Sequence, residues 1–219
     1  MIEIAYIKNG YTDKFGIPRQ SGKVNSISKI IFNKPFNSVD AIREIEGFSH
    51  LWLIFGFSKN EGKYSLTVRP PRLGGNKKVG VFASRSPFRP NGLGLSSVKL
   101  ERVEDDKNGK VLIVSGADLL DGTPIYDIKP YLTFTDCHVD AVNGYAEDFI
   151  DYALEVFGEE NLNFLDDEEK SFIVNCLKED PRPAYHNNED RVYGINVSGV
   201  EIKFKVKDGV LTILQAFKA

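Results

Sequence analysis

This chain of 219 residues is poor in the residues that staple or anchor a protein. It has two cysteines, Cys137 and Cys176, with one methionine and one tryptophan. Two thiols in unlike contexts give no disulfide framework. With no signal-peptide pattern, they point to a reducing, cytoplasmic setting. The three histidines, His50, His138 and His186, lie far apart, so no metal centre is expected. Asp136-Cys137-His138 sets three ligand types in a row, but sequence neighbours rarely converge on one ion. The longest apolar run, residues 51–57, is far too short to span a bilayer. Also missing are a GxGxxG after a strand, a Walker A lysine loop, HExxH and GxSxG. A net charge of −3 excludes polyanion binding by the surface at large.

What positive charge there is has been gathered. Residues 59–89 hold eight of the 28 basic residues (Lys59, Lys63, Arg69, Arg72, Lys77, Lys78, Arg85 and Arg89) and one of the 31 acids, Glu61. Among them stand Pro70, Pro71, Gly74, Gly75, Gly80, Pro87, Pro90, Gly92 and Gly94. Proline fixes φ and glycine permits positive φ, so such a stretch builds shaped loops rather than regular elements. Guanidinium forks on rigid loops suit phosphate or carboxylate. A second loop of this kind carries Asp121, Asp127 and Lys129. Read from its residues alone, the chain is a β-rich domain with a shaped anion-binding loop.

With 42% hydrophobic residues the chain can bury a real core. Alternation predicts strands over residues 2–7, 23–32, 94–103 and 110–117, with shorter ones over 64–69 and 78–84. Residues 50–57 form a continuous apolar run, expected as a strand covered on both faces. Ser38 reads as the N-cap of a short helix carrying Ala41, Ile42 and Ile45 and closed by Gly47. Many short strands at regular spacing favour a barrel or sandwich. From about residue 143 the character changes, with twelve acids and two bases over residues 145–180. Phe149, Tyr152, Ala153 and Val156 suggest one helix ended by Gly158. Phe172, Ile173, Cys176 and Leu177 suggest another, with Asp166, Asp167, Glu168 and Glu169 at its start and Pro181 after it. Asp208-Gly209 is a hairpin turn. The expectation is a mainly β protein: a small β-barrel over residues 1–143, and a small α+β domain over 144–219 that docks on it or on another subunit.

Several segments together resemble the TsaA-like family. They are Pro18-Arg19-Gln20, Gly47-Phe48-Ser49-His50-Leu51-Trp52, Val68-Arg69-Pro70-Pro71-Arg72-Leu73-Gly74-Gly75, and Val81-Phe82-Ala83-Ser84-Arg85-Ser86-Pro87-Phe88-Arg89-Pro90-Asn91. Asp121-Gly122-Thr123-Pro124, then Asp127-Ile128-Lys129-Pro130-Tyr131, continue the pattern. Asp180-Pro181-Arg182-Pro183-Ala184-Tyr185 is similar to the signature of the family's C-terminal domain.

The resemblance implies a tRNA (adenine-N6) methyltransferase. It would use S-adenosyl-L-methionine to methylate N6 of threonylcarbamoyl-adenosine, 3′ of the anticodon. Cofactor contacts carried over fall on Pro18, Arg19, Gln20, Ser58, Lys59, Arg85, Leu95, Asp121, Gly122, Thr123 and Pro124. Ser58 and Lys59 stand where the family often has His-Gln, which leaves backbone contacts there; Asn91-Gly92 replaces a common Asn-Pro. Asp127, Tyr126 and Tyr131 are the candidates for accepting or orienting a proton. Arg69, Arg72, Lys77, Lys78, Arg89 and Lys129 are the candidates for RNA phosphates. Phe88 and Tyr131 are candidates for base stacking. No membrane is involved, and a homodimer is expected. Two other classes remain: a non-catalytic RNA-binding β-barrel, and a hydrolase or lyase of a small phosphorylated metabolite.

Overall fold

Alternating apolar residues form β1 (Ala5–Lys8), β2 (Ile27–Phe32) and β3 (His50–Gly56) of the computed structural model. A two-residue pair follows, β4 (Thr67–Val68) with β5 (Val79–Gly80), bracketing the Arg-rich loop. β6 (Leu93–Asp106), β7 (Gly109–Ser115) and β8 (Pro124–Pro130) come next, then a single turn, α1 (Thr133–Asp136). The structure describes residues 1–60, 62–74, 76–107, 109–182 and 189–218. Glu61, Gly75, His186, and Pro183, Ala184 and Tyr185 of the C-terminal signature lie outside them.

The long strands hydrogen-bond in the order β1-β2-β7-β6-β3-β8, every pair antiparallel, and β8 returns to β1 through Ala5 opposite Ile125. Closing the ring leaves no free edge in it. Its interior holds Ala5, Ile7, Ile30, Leu51, Leu53, Leu112, Val114 and Ile125, all essentially without solvent contact. Residues 50–57 depart from the expected two-sided burial. Leu51, Leu53 and Phe55 point inward, while Trp52 and Ile54 are only half-buried, the usual outcome where one face of an antiparallel sheet lacks a covering layer. On β6 it is Ser96, not Leu95, that shares the inward face with Val98 and Leu100; Leu95 is 56% exposed. β6 can cross Phe55 only because residue 94 is glycine, since a Cβ there would stand 2.3 Å from the Phe55 ring. Ser38 caps as expected, accepting from the Asp40 N–H, but it starts a 3-10 turn, Val39–Ile42. Arg43 at ψ 133, and then Glu44 at φ 66, leave the helical region, so the turn goes no further.

Beyond residue 143 the elements are β9 (Glu155–Phe157), α2 (Asp167–Lys178), β10 (Tyr193–Val197), β11 (Val200–Lys207) and β12 (Val210–Lys218). The sheet runs β10-β11-β12-β9, with β9 parallel to β12. The helix expected over Phe149 to Val156 does not form: Phe149 ends a 3-10 turn, Gly144–Phe149, and Val156 lies in β9. So short a run fits either period, and pairing with β12 decides it. α2 forms with its Asp166 cap, burying Ile173, Val174, Cys176 and Leu177 against the sheet. The core of this unit also takes in Tyr11 and Val24, with Phe15 and Ile17 packed on it. The loop between β1 and β2 is therefore built into the second core, not the first. No helix among the described residues is long and apolar enough to cross a membrane.

Candidate active site

Strand direction decides which loops meet. β1, β3 and β7 end, and β2, β6 and β8 begin, at the same end of the ring. Residues 9–26, 57–92 and 116–123 therefore converge there. These loops carry Pro18, Arg19, Gln20, Ser58, Lys59, Arg85, Asp121, Gly122 and Thr123, while Pro124 opens β8 and Leu95 lies among the first residues of β6, which begins at Leu93.

Within this end, Arg85 is exposed and donates through Nη1 to Gln20 Oε1 at 2.5 Å. Asp121 accepts the Asn9 N–H on Oδ1 at 2.8 Å, and its own N–H reaches the Tyr11 carbonyl at 2.9 Å. Gly122 takes φ 73 in this turn, and its N–H bonds to the Ile7 carbonyl. Thr123 is buried; Ser58 and Lys59 are exposed.

The three proton-handling candidates do not share one location. On β8 the register slips so that Ile54 faces Asp127 and Phe55 faces Ile125, leaving Tyr126 as the extra residue of a bulge. Bulges re-aim side chains. Here the Tyr126 ring lies over Gly56, whose Cα has room for it only for want of a Cβ: one added there would stand 2.7 Å from the phenol oxygen. Asp127 receives the Ile128 N–H and pairs with Lys129 at 2.9 Å. Tyr131 lies at the opposite end of β8, its ring 5.3 Å from Trp52 and 6.3 Å from His50. Trp52 Nε1 in turn donates to Asp136.

The basic residues divide as well. Arg69, Lys77 and Lys78 are exposed. Arg89 donates to the Val81 and Ser84 carbonyls at 3.0 and 2.7 Å, which folds its own loop. Arg72 turns to the C-terminal unit. Its guanidinium lies 3.6 Å over the Tyr152 ring and donates to the Glu179 carbonyl, while Nη1 is buried without a partner. Arg19 donates to the carbonyls of Asp180 and Arg182. Arg182 grips Asp180 with two hydrogen bonds of 2.8 and 2.9 Å, and the Tyr152 hydroxyl donates to the same carboxylate at 2.8 Å. Burial alone would raise the Asp180 carboxyl, but the Arg182 and Tyr152 hydrogen bonds hold it below its ordinary value.

Sequence comparison bears on both units. The description of the tRNA-methyltransferase O N-terminal domain matches residues 6–137, and that of the TrmO C-terminal domain matches residues 155–218. The chain belongs to the tRNA-methyltransferase O family. Among its relatives is the tRNA (adenine(37)-N6)-methyltransferase of Escherichia coli. It is 40% identical over 217 residues, covering 94% of this chain and 92% of that protein. A putative S-adenosylmethionine-dependent methyltransferase of Pseudomonas aeruginosa is 40% identical over 210 residues, 91% of this chain and 89% of its own. A crystal structure of TrmO from Pseudomonas aeruginosa superposes with a TM-score of 0.74 at 31% identity, covering 98% of this chain and 97% of that one.

Sequence alone does not single out Asp118, Ser96 or Tyr152, nor the part of Asp180 in joining the two units. Asp118 gives a signal, a lone acid between the apolar Ala117 and Leu119, both of which are buried. Tyr152 gives no such signal, because Arg72, which lies on its ring, is 80 residues away; Asp180 stands beside Arg182 in the C-terminal signature, but nothing local shows that Arg19, 161 residues away, reaches its carbonyl.

Proposed function

We propose that this enzyme of the tRNA-methyltransferase O family takes its methyl group from S-adenosyl-L-methionine. The acceptor is N6 of threonylcarbamoyl-adenosine at the purine 3′ of the anticodon. The observation that carries the reading is the convergence of residues 18–20, 85, 95 and 121–124 at one end of the ring. We take the ring as a small β-barrel within a catalytic domain of residues 1–143, with residues 144–219 as a second domain over its mouth.

The residues present suit the donor. Arg85 has one N–H engaged by Gln20, which leaves a fork for a carboxylate. Nearby carboxylates suit its ammonium. When bound, the donor supplies an electrophilic sulfonium methyl group. The protein's part is to hold acceptor and methyl in line, the positioning from which most of the rate can come. Tyr126 at the bulge, with Asp127 beside it, orients the acceptor nitrogen or takes its proton. Of the two stacking candidates, Phe88, 43% exposed in the 57–92 loop at the mouth, stacks a splayed base, while Tyr131 lies at the far end of β8.

The test is transfer of labelled methyl from S-adenosyl-L-methionine to tRNA with and without the threonylcarbamoyl group. Label on the modified tRNA alone is expected; equal labelling of both refutes the substrate, and labelling of neither refutes the reaction. Arg69, Lys77 and Lys78 contact phosphates in this reading. Lys77→Ala with Lys78→Ala should lower the salt slope of tRNA binding by about two, one per phosphate contact, with donor affinity unchanged.

The enzyme acts in the cytoplasm as a homodimer. Leu66, Phe82, Phe134, Val139 and Val142 are each more than 70% exposed and are side chains that such an interface would cover. Light scattering at micromolar concentration should return twice the chain mass.

A further inference from the structure

Three of the loops at the ring mouth are tied to one carboxylate, and it is not Asp121. Ala117 and Leu119 are locked in the ring core, so Asp118 between them faces the converging loops. Ser96, inward on β6 and 5% exposed, donates its hydroxyl to Asp118 Oδ1 at 2.6 Å. The Ser21 N–H also donates to this carboxylate, and the Gly22 N–H bonds to the Gly116 carbonyl at 2.8 Å, closing residues 20–22 onto residues 116–118. Arg85 acts on Asp118 by its charge, and it is the residue that Gln20 holds. Asp121, three residues on, has an oxygen engaged by the Asn9 N–H, which caps the end of β1.

We infer that Asp118 supplies the negative charge of the methyl-donor pocket, receiving the ammonium of the donor's amino-acid end while Arg85 receives its carboxylate. The inference rests on the function proposed above. Opposite charges held on separate loops, each fixed by neutral donors or acceptors, are what a zwitterion needs to bind between them. Asp118 is anchored by Ser96 and Ser21, and Arg85 by Gln20. Neither charge has to be torn from a strong partner before the ligand enters.

Burial raises the Asp118 carboxyl above its ordinary value, against the opposing pull of Ser96 and Arg85. The titratable groups facing it are Arg85 and the Tyr11 phenol. Tyr11 is itself pushed up, mainly by burial, and its hydroxyl is bonded to Ser26. Burial keeps the Tyr11 phenol neutral across the acid range, so an acid-side loss of donor affinity that Asp118→Asn abolishes belongs to Asp118.

The experiment compares S-adenosyl-L-methionine with 5′-methylthioadenosine, which keeps the nucleoside and thioether but has no amino-acid end. Both are titrated calorimetrically into the wild-type chain and into Asp118→Asn, Asp118→Glu and Asp121→Asn. Asp118→Asn should weaken S-adenosyl-L-methionine about tenfold, as for loss of a charged hydrogen bond, and leave 5′-methylthioadenosine within about twofold. Asp118→Glu should recover part of the loss, and Asp121→Asn should cost less than Asp118→Asn. Wild-type affinity for S-adenosyl-L-methionine should fall as the pH drops through the raised carboxyl value, and Asp118→Asn should lack that fall. Equal weakening of both ligands by Asp118→Asn would mean a structural role and overturn the inference, as would no weakening of either. A wild-type chain that binds neither ligand would overturn the donor reading itself, a distinct result.

Discussion

Asp180→Ala should be among the most damaging single changes at the junction of the two units, with a loss of about 3 kcal/mol of unfolding free energy. The carboxylate is 14% exposed, accepts two hydrogen bonds from the Arg182 guanidinium, a longer one from the Arg182 N–H and one from Tyr152, and sits at φ 54, which asparagine tolerates and alanine does not. Its removal leaves Arg182 without its carboxylate and takes from Arg19, which Arg72 already repels, one of the two acids that act on it, leaving Glu179. Asp180→Asn keeps the backbone conformation and one acceptor, so the difference between the two variants separates strain from charge. Because the folded-state carboxyl is depressed, its contribution is complete above the ordinary carboxylate range of about 4 and is lost as pH falls through the lower native value. Urea unfolding of wild type and Asp180→Asn from pH 7 to pH 3 should show the stability gap closing at the acid end. A gap independent of pH would rule out the charged contact as its source.

Gly158→Ala should cost about 3 kcal/mol for a different reason. Gly158 has φ 82, where a side chain costs about 1–2 kcal/mol. A Cβ would also stand 2.4 Å from the carbonyl oxygen of Ile213, and a backbone atom in a sheet cannot move aside as a side-chain tip can. Overpacking of this kind adds roughly 1–3 kcal/mol. The Asn161 side chain bonds to both the Gly158 and Ile213 carbonyls and so holds the two segments together. Gly199 is the control, since it has φ 77 but nothing within 4 Å of the added carbon. Gly199→Ala should lose only the conformational part, about 1 kcal/mol. Thermal unfolding in which the two variants matched would show that the approach to Ile213 carries no weight.

The strands of the ring were legible because each buries one face against its neighbours, and period-two alternation records that. So was α2, whose acidic first turn and apolar side agree with each other. β10 was missed because Tyr193 to Val197 carries glycine and asparagine, and its partner β11 supplies the order. Residues 149–156 are ambiguous because so short a mixed stretch, with Phe149, Tyr152 and Val156 spaced by acids, fits both periods, and only β12, more than fifty residues later, chooses. For the site, the loops could be named by resemblance, but sequence could not say which basic residues face outward. Arg72 and Lys77 look alike in a string. One lies on Tyr152 and the other in water, a difference made by a residue 80 positions away.

That Tyr11 and Val24 are buried among residues 154–213 bears on how the chain is made. A ribosome delivers residues 9–26 early and their packing partners last, at a few to about 20 residues per second. Strands β1 to β8 can close their ring while that loop still hangs from it without its own contacts. The loop bearing Pro18, Arg19 and Gln20 reaches its final shape only when the last strand has emerged. Contacts across so wide a stretch of sequence are slow to form. A nascent chain stalled before residue 200 should therefore carry a closed ring whose mouth stays open to proteases at residues 9–26, and release of the full chain should bring protection there and in α2 together.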